Sequence, residues 1–107
     1  MKIAYGIFGL FLGAGLVLAA GDAKAGKAVY DNECKSCHGA TGDGNPAIGK
    51  AFKVEMRALG SSEVQALSDE QWQKIVSEGK GKMKPIQRVH GKDLDDVVAY
   101  GRTLKKK

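Results

Sequence analysis

A chain of 107 residues, 43% hydrophobic and 27% charged, is one small domain whose side chains alone give only a marginal core. The formal charge of +5 is modest and part of it sits in the Lys105-Lys106-Lys107 tail, so the charge balance gives no support to nucleic-acid binding. Both cysteines stand in one motif, at 34 and 37, which leaves no thiol for another role.

Residues 1–21 differ from the rest. Lys2 is followed by an uncharged run from Ile3 to Ala20, rich in Leu, Ala, Gly and Phe, and the small residues Ala19, Ala20 and Gly21 precede the first acid, Asp22. A basic start, an apolar centre and a small-residue end predict a secretory signal cleaved after Gly21 or Ala20. An uncleaved anchor is the alternative, since the run is about as long as the shortest bilayer spans. Either way residues 22–107 form an exported domain.

From Asp22 to Glu33 the sequence predicts a helix, with Asp22 as cap and Ala, Lys and Glu favouring its interior. Gly26 and Tyr30, four apart, share a face. Glycine within a helix costs on the order of 1 kcal/mol relative to alanine, which close approach by another helix can offset.

Cys34-Lys35-Ser36-Cys37-His38 comes directly after. Two cysteines separated by two residues reach the two vinyl positions on one edge of a haem, and a histidine directly after the second turns its imidazole onto the iron. C-x-x-C-H therefore predicts covalent attachment of one haem c through Cys34 and Cys37, with His38 as an iron ligand. Three other readings fit less well. A redox-active dithiol needs a helix after the motif, where this chain has Gly39, Gly42, Gly44 and Pro46. A Cys34–Cys37 disulfide closes too small a loop to restrain much chain entropy. Tetrahedral zinc needs four ligands, with Cys37 and His38 awkwardly adjacent.

Gly39 to Gly49 reads as a loop passing around one haem edge, with Pro46 and Ile48 as its apolar contacts. Ala51 to Leu59 has a period ambiguous between extended alternation and a short helix. Leu67 to Gly79 is clearer: Ser68 caps, Gln71 is its capping-box partner, Trp72, Ile75 and Val76 form one stripe, and Gly79 ends the helix. Trp72 is expected in the core against the haem. Gly81 to Ile86 is irregular yet apolar at Met83, Pro85 and Ile86, the last a further haem contact. Asp93 to Leu104 predicts the final helix, with Leu94, Val97, Val98, Tyr100 and Leu104 on a wide apolar face. No hairpin or sustained strand pattern occurs, so the expected class is all-α.

With His38 on one side of the iron, Met83, Met56, His90 and an open position compete for the other. Met83 is favoured, because irregular backbone can aim it inward and Pro85 and Ile86 restrain the chain just after it. Met56 reads as core packing and His90 as a cap or surface group. A thioether ligand is soft and raises the reduction potential. Two protein ligands leave the iron closed to small molecules and point to one-electron transfer, without an enzyme's acid and base groups.

From Asp22 to Leu104 the chain resembles class I monohaem cytochrome c, particularly the small bacterial periplasmic type. The resemblance rests on Gly26-Lys-Ala-Val-Tyr30, the C-x-x-C-H motif, Gly44-Asn45-Pro46, Glu78-Gly-Lys-Gly-Lys-Met83 and Val97-Val-Ala-Tyr100. It implies a cytochrome c-like fold of about three to five helices around one covalently attached haem, with the terminal helices crossing near Gly26 and Tyr100. Many relatives place proline directly after the axial methionine; here Lys84 intervenes before Pro85. The family docks redox partners over the exposed haem edge, which makes Lys80, Lys82 and Lys84 candidates for steering an acidic protein partner.

The resulting expectation is a periplasmic one-electron carrier that meets membranes only transiently or through an uncleaved N-terminal segment. The competing readings are a haem sensor or peroxidase-like protein with a labile sixth ligand, and a haem subunit of a membrane respiratory complex.

Overall fold

The computed structural model describes residues 21–106; all of the expected signal segment except Gly21 lies outside the described residues. Helices are α1 (Ala23–Glu33), α2 (Lys35–His38), α3 (Pro46–Phe52), α4 (Ser62–Gln65), α5 (Asp69–Glu78) and α6 (Lys92–Thr103). Four have seven residues or more, within the expected range, and α2 and α4 are single turns of four residues. Among the described residues the β pairing consists of one isolated bridge, between Lys80 and Met83. No described helix is long and apolar enough to cross a membrane.

Local chemistry sets most helix starts. Asp22 accepts from the Lys24 and Ala25 N–H groups at 2.9 and 3.2 Å, satisfying donors that the first turn of α1 would otherwise leave free. Ser68 and Gln71 form the expected reciprocal capping box on α5. One expectation changes: the segment from Pro46 to Gly49 is not loop but the first turn of α3. Asn45 caps it by accepting from Ala47 N–H at 3.0 Å, and Pro46 occupies a first-turn position where its missing N–H costs nothing.

The terminal helices supply the frame. α1 and α6 cross where Gly26 meets the Asp96 carbonyl, and a Cβ at Gly26 would overlap that carbonyl and touch Tyr100 Cβ at 3.0 Å. Beside it the Tyr30 and Tyr100 rings lie 5.2 Å apart, tilted by 51°. Asp96, 2% exposed, binds both helices: one oxygen accepts from Asp22 N–H at 2.8 Å and the other from Lys92 Nζ at 2.7 Å. These two donors hold its carboxyl below the usual carboxylate range, the Lys92 hydrogen bond contributing most.

Arg102 fastens the other side of α6. Its guanidinium stands 4.9 Å from the Trp72 ring centre, donates to the Gln65 and Leu67 carbonyls at 2.8 and 2.6 Å, and pairs with Asp69 at 2.7 Å. The buried apolar side chains among the described residues are Tyr30, Trp72, Val89, Val97 and Val98. Five such residues make a thin core, and a large apolar cofactor would thicken it.

Candidate functional site

The C-x-x-C-H residues sit where α1 ends. Cys34 N–H donates to the Tyr30 carbonyl at 2.9 Å and closes α1, and His38 N–H donates to the Cys34 carbonyl at 3.0 Å to make the single turn α2. Gly39 then takes φ 82°, a conformation that side chains with a Cβ rarely adopt, and the chain doubles back. After that reversal Gly44 N–H reaches the His38 carbonyl at 2.7 Å, Asn45 N–H the Cys37 carbonyl at 2.8 Å, and Asn45 Nδ2 the Ser36 carbonyl at 3.0 Å. Tyr30 donates its hydroxyl to the Gly39 carbonyl. Four successive carbonyls are thus occupied, which fixes the backbone that carries Cys37 and His38.

Two apolar cavities meet at this motif. The smaller, about 100 Å³, is lined by Tyr30, Leu59, Val64, Trp72, Ile75, Val97 and neighbours. The larger, about 490 Å³, is lined by Cys37, Ile48, Phe52, Val54, Met56, Lys82, Lys84 and Ile86. Cys34, His38 and Met83 belong to both. The larger volume falls in the range of small-molecule and cofactor sites, whose walls are mostly apolar with few polar groups.

His38 Nδ1 is buried and has no hydrogen-bond partner, and burial holds the imidazole below its ordinary range. A neutral imidazole in apolar surroundings is the protonation state a metal ligand needs. The Cys34 thiol is pushed up to about 11 by burial, then by the Glu33 carboxylate and Cys37. A redox-active dithiol needs the opposite shift. Among the described residues no group of three or more His, Cys, Asp or Glu side chains could hold a metal ion, which leaves tetrahedral zinc without a ligand set.

Met83, which shares both cavities with Cys34 and His38, is carried on a tight reversal. Lys80 and Met83 exchange backbone hydrogen bonds, each 2.9 Å, across Gly81 and Lys82, and Ile86 N–H donates to the Val76 carbonyl at 2.8 Å. Met83 is half-buried, while Lys80, Lys82 and Lys84 are exposed.

Of the residues named from sequence, Cys34, Cys37, His38, Met83, Ile48, Trp72 and Ile86 line one or both cavities. Pro46 instead lines a separate hollow of about 190 Å³ with Asp43, Asn45 and Lys50. Among the rival ligands, Met56 lines the larger cavity and the Pro46 hollow but not the smaller cavity, and His90 is exposed and lines none of them. Sequence reasoning missed Tyr30, Leu59 and Val64 as lining residues. Their apolar character was visible, but the long-range packing that turns them inward was not. Among the described residues Phe52, 50% exposed at the larger cavity, is the large apolar side chain left in solvent.

The residues fit a haem by three features of this structure: an apolar space on both sides of His38 and Met83, a buried imidazole nitrogen without a partner, and two thiols at one margin.

Comparison with known proteins agrees with this fold. A solved c-type cytochrome named KustC0563 superposes with a TM-score of 0.64 at 28% identity, over 76% of this chain and 98% of that one. Cytochrome CL from the marine methylotrophic bacterium Methylophaga aminisulfidivorans superposes with a TM-score of 0.59 at 22% identity, over 78% of this chain and 53% of its own length, a likeness of fold alone. No curated protein is similar enough to match. The family model described as cytochrome c oxidase, cbb3-type, subunit III matches residues 21–100. With three quarters of its length inside that match, the chain belongs to this family of c-type cytochromes, whose members of this kind are typically periplasmic and non-catalytic.

Proposed function

We propose that the domain is a periplasmic one-electron carrier that holds one haem c, with His38 and Met83 as the axial pair. The observation that carries this reading is that Cys34, His38 and Met83 line both apolar cavities, whereas Met56 and His90 do not. A haem bound there supplies an iron couple that changes by one electron. Cys34 and Cys37 would hold it as thioethers, each S–H adding across one vinyl group with sulfur bonded to one carbon and the hydrogen to its neighbour. Such an addition consumes no oxidant.

Two protein ligands held by the fold, His38 and Met83, would keep the site's geometry the same in both oxidation states and so limit nuclear rearrangement on transfer. The apolar walls exclude water. Exposed Phe52, Lys82 and Lys84 at the larger cavity form a margin that an acidic redox protein can approach. A secretory signal over residues 1–21 completes the proposal by delivering the chain to the periplasm.

The family description favours one second reading, service within a larger oxidase-like redox assembly. Sedimentation of the native holoprotein tests it, since a carrier runs as a small free protein and an assembly subunit runs with partners. The axial pair is tested by the weak near-infrared band that methionine gives on ferric haem iron. That band is expected in the wild type and absent in Met83→Ala, and its persistence in Met83→Ala would exclude Met83.

A further inference from the structure

We infer that Gly79, which reaches neither cavity, is the positioning residue that sets how far Met83 extends toward His38; the inference rests on the His38–Met83 reading above. Gly79 ends α5 with φ 80° and ψ 170°, a region that side chains with a Cβ rarely adopt. Its Cα faces the backbone of the Met83 turn. A Cβ there would lie 2.6 Å from the Met83 carbonyl oxygen, 2.9 Å from Pro85 N and 3.0 Å from Pro85 Cδ.

Two of those three atoms belong to backbone, so the collision cannot be relieved by swinging a flexible side chain. The turn must move as a unit. It is closed by the two Lys80–Met83 hydrogen bonds and tied onward through the Ile86–Val76 bond. A displacement at the Met83 carbonyl therefore carries the Met83 side chain with it.

The same turn contains its own control. Gly81 also has a positive φ, 58°, but a Cβ there meets nothing within 4 Å. Gly81→Ala thus adds backbone strain without a collision, and Gly79→Ala adds both. The contact also gives Pro85 a function despite the Lys84 insertion: its ring packs against Gly79 and backs the turn from one residue further along.

The test compares oxidised holoproteins of wild type, Gly79→Ala, Gly81→Ala, Pro85→Ala and Met83→Ala. It reads the near-infrared band, the imidazole binding rate and far-ultraviolet helicity. Gly79→Ala is expected to lose the band and to bind imidazole about tenfold faster or more, a factor that corresponds to roughly 1.4 kcal/mol, with helicity kept. Gly81→Ala is expected to keep the band, and Pro85→Ala to accelerate imidazole binding by a smaller factor. A wild-type band and rate in Gly79→Ala would overturn the inference, as would equal loss of the band in Gly81→Ala. If Gly79→Ala yields no holoprotein, a wild-type imidazole rate in Pro85→Ala overturns it. Met83→Ala separates the two levels: if it keeps the band, the axial assignment fails, and if it loses the band while Gly79→Ala does not, only the role of Gly79 fails.

Discussion

The crossing of α1 and α6 and the segment that carries Met83 both line one site and are held by different means. At the crossing, backbone meets backbone at Gly26, two tyrosine rings pack side by side, and buried Asp96 accepts from both helices. At Met83 a short reversal is held by two mutual hydrogen bonds and one tether to α5, with exposed lysines on both sides. The first region resists any change of volume; the second resists chiefly changes that push its turn. The C-x-x-C-H residues thus stand on the rigid wall, and Met83, the second ligand of the proposed pair, on the more compliant one.

The rigid wall should break first. Gly26→Ala forces a Cβ into the Asp96 carbonyl, which only separation of the helices can relieve, and should destabilise the holoprotein by about 3 kcal/mol in denaturant unfolding. A change below about 1 kcal/mol would mean that the crossing is loose.

Asp96→Asn should cost about 2 kcal/mol, because the uncharged amide loses the ion pair with Lys92 and pairs less well with Asp22 N–H. The sign of its pH dependence is set by the depressed folded-state pKa. Stability from Asp96 is present above the unfolded value of 3.8 and is lost as pH falls through the folded value below it. Thermal unfolding between neutral pH and pH 3 should therefore fall more steeply in wild type than in Asp96→Asn, and parallel curves would show that Asp96 is no clamp.

Away from both regions, Lys53, which closes α3, has φ 56° and ψ 45°, left-handed for a residue with a Cβ. Lys53→Gly should be neutral or stabilising by about 0.5 kcal/mol, since relief of that strain is offset by the freer unfolded chain. The smallest expected change in stability is in Lys82→Glu with Lys84→Glu, both exposed. Its melting temperature should stay at the wild-type value while association with an acidic redox partner slows at low salt and converges with wild type at high salt. A rate insensitive to the substitutions would show that these lysines serve solubility alone.

How much of this is legible in the sequence depends on how local each feature is. The Ser68–Gln71 capping box, the apolar faces of α5 and α6 and the C-x-x-C-H motif each lie within a few residues, and spacing reveals them all. Pro46 reads as loop because glycines dominate its neighbourhood, although Asn45-Pro46 is also a helix start when the asparagine side chain turns back to cap. The turns α2 and α4 are too short for periodicity to register. In the sequence Asp96 looks like a favourable charge in the first turn of a helix. Its partner Asp22 lies 74 positions away, so its role as a clamp emerges only once α1 and α6 are packed. Gly79 likewise reads as a helix stop, and only the folded turn shows which backbone it faces.

The most direct test of the central claim is the near-infrared spectrum of the oxidised holoprotein, wild type beside Met83→Ala, with the reduction potential of each. Ligation by Met83 predicts the methionine band in wild type, its loss in Met83→Ala with helicity unchanged, and a lower potential once the soft thioether is gone. A wild-type iron that is high-spin and binds added ligands readily, or a Met83→Ala protein that keeps both band and potential, would contradict it.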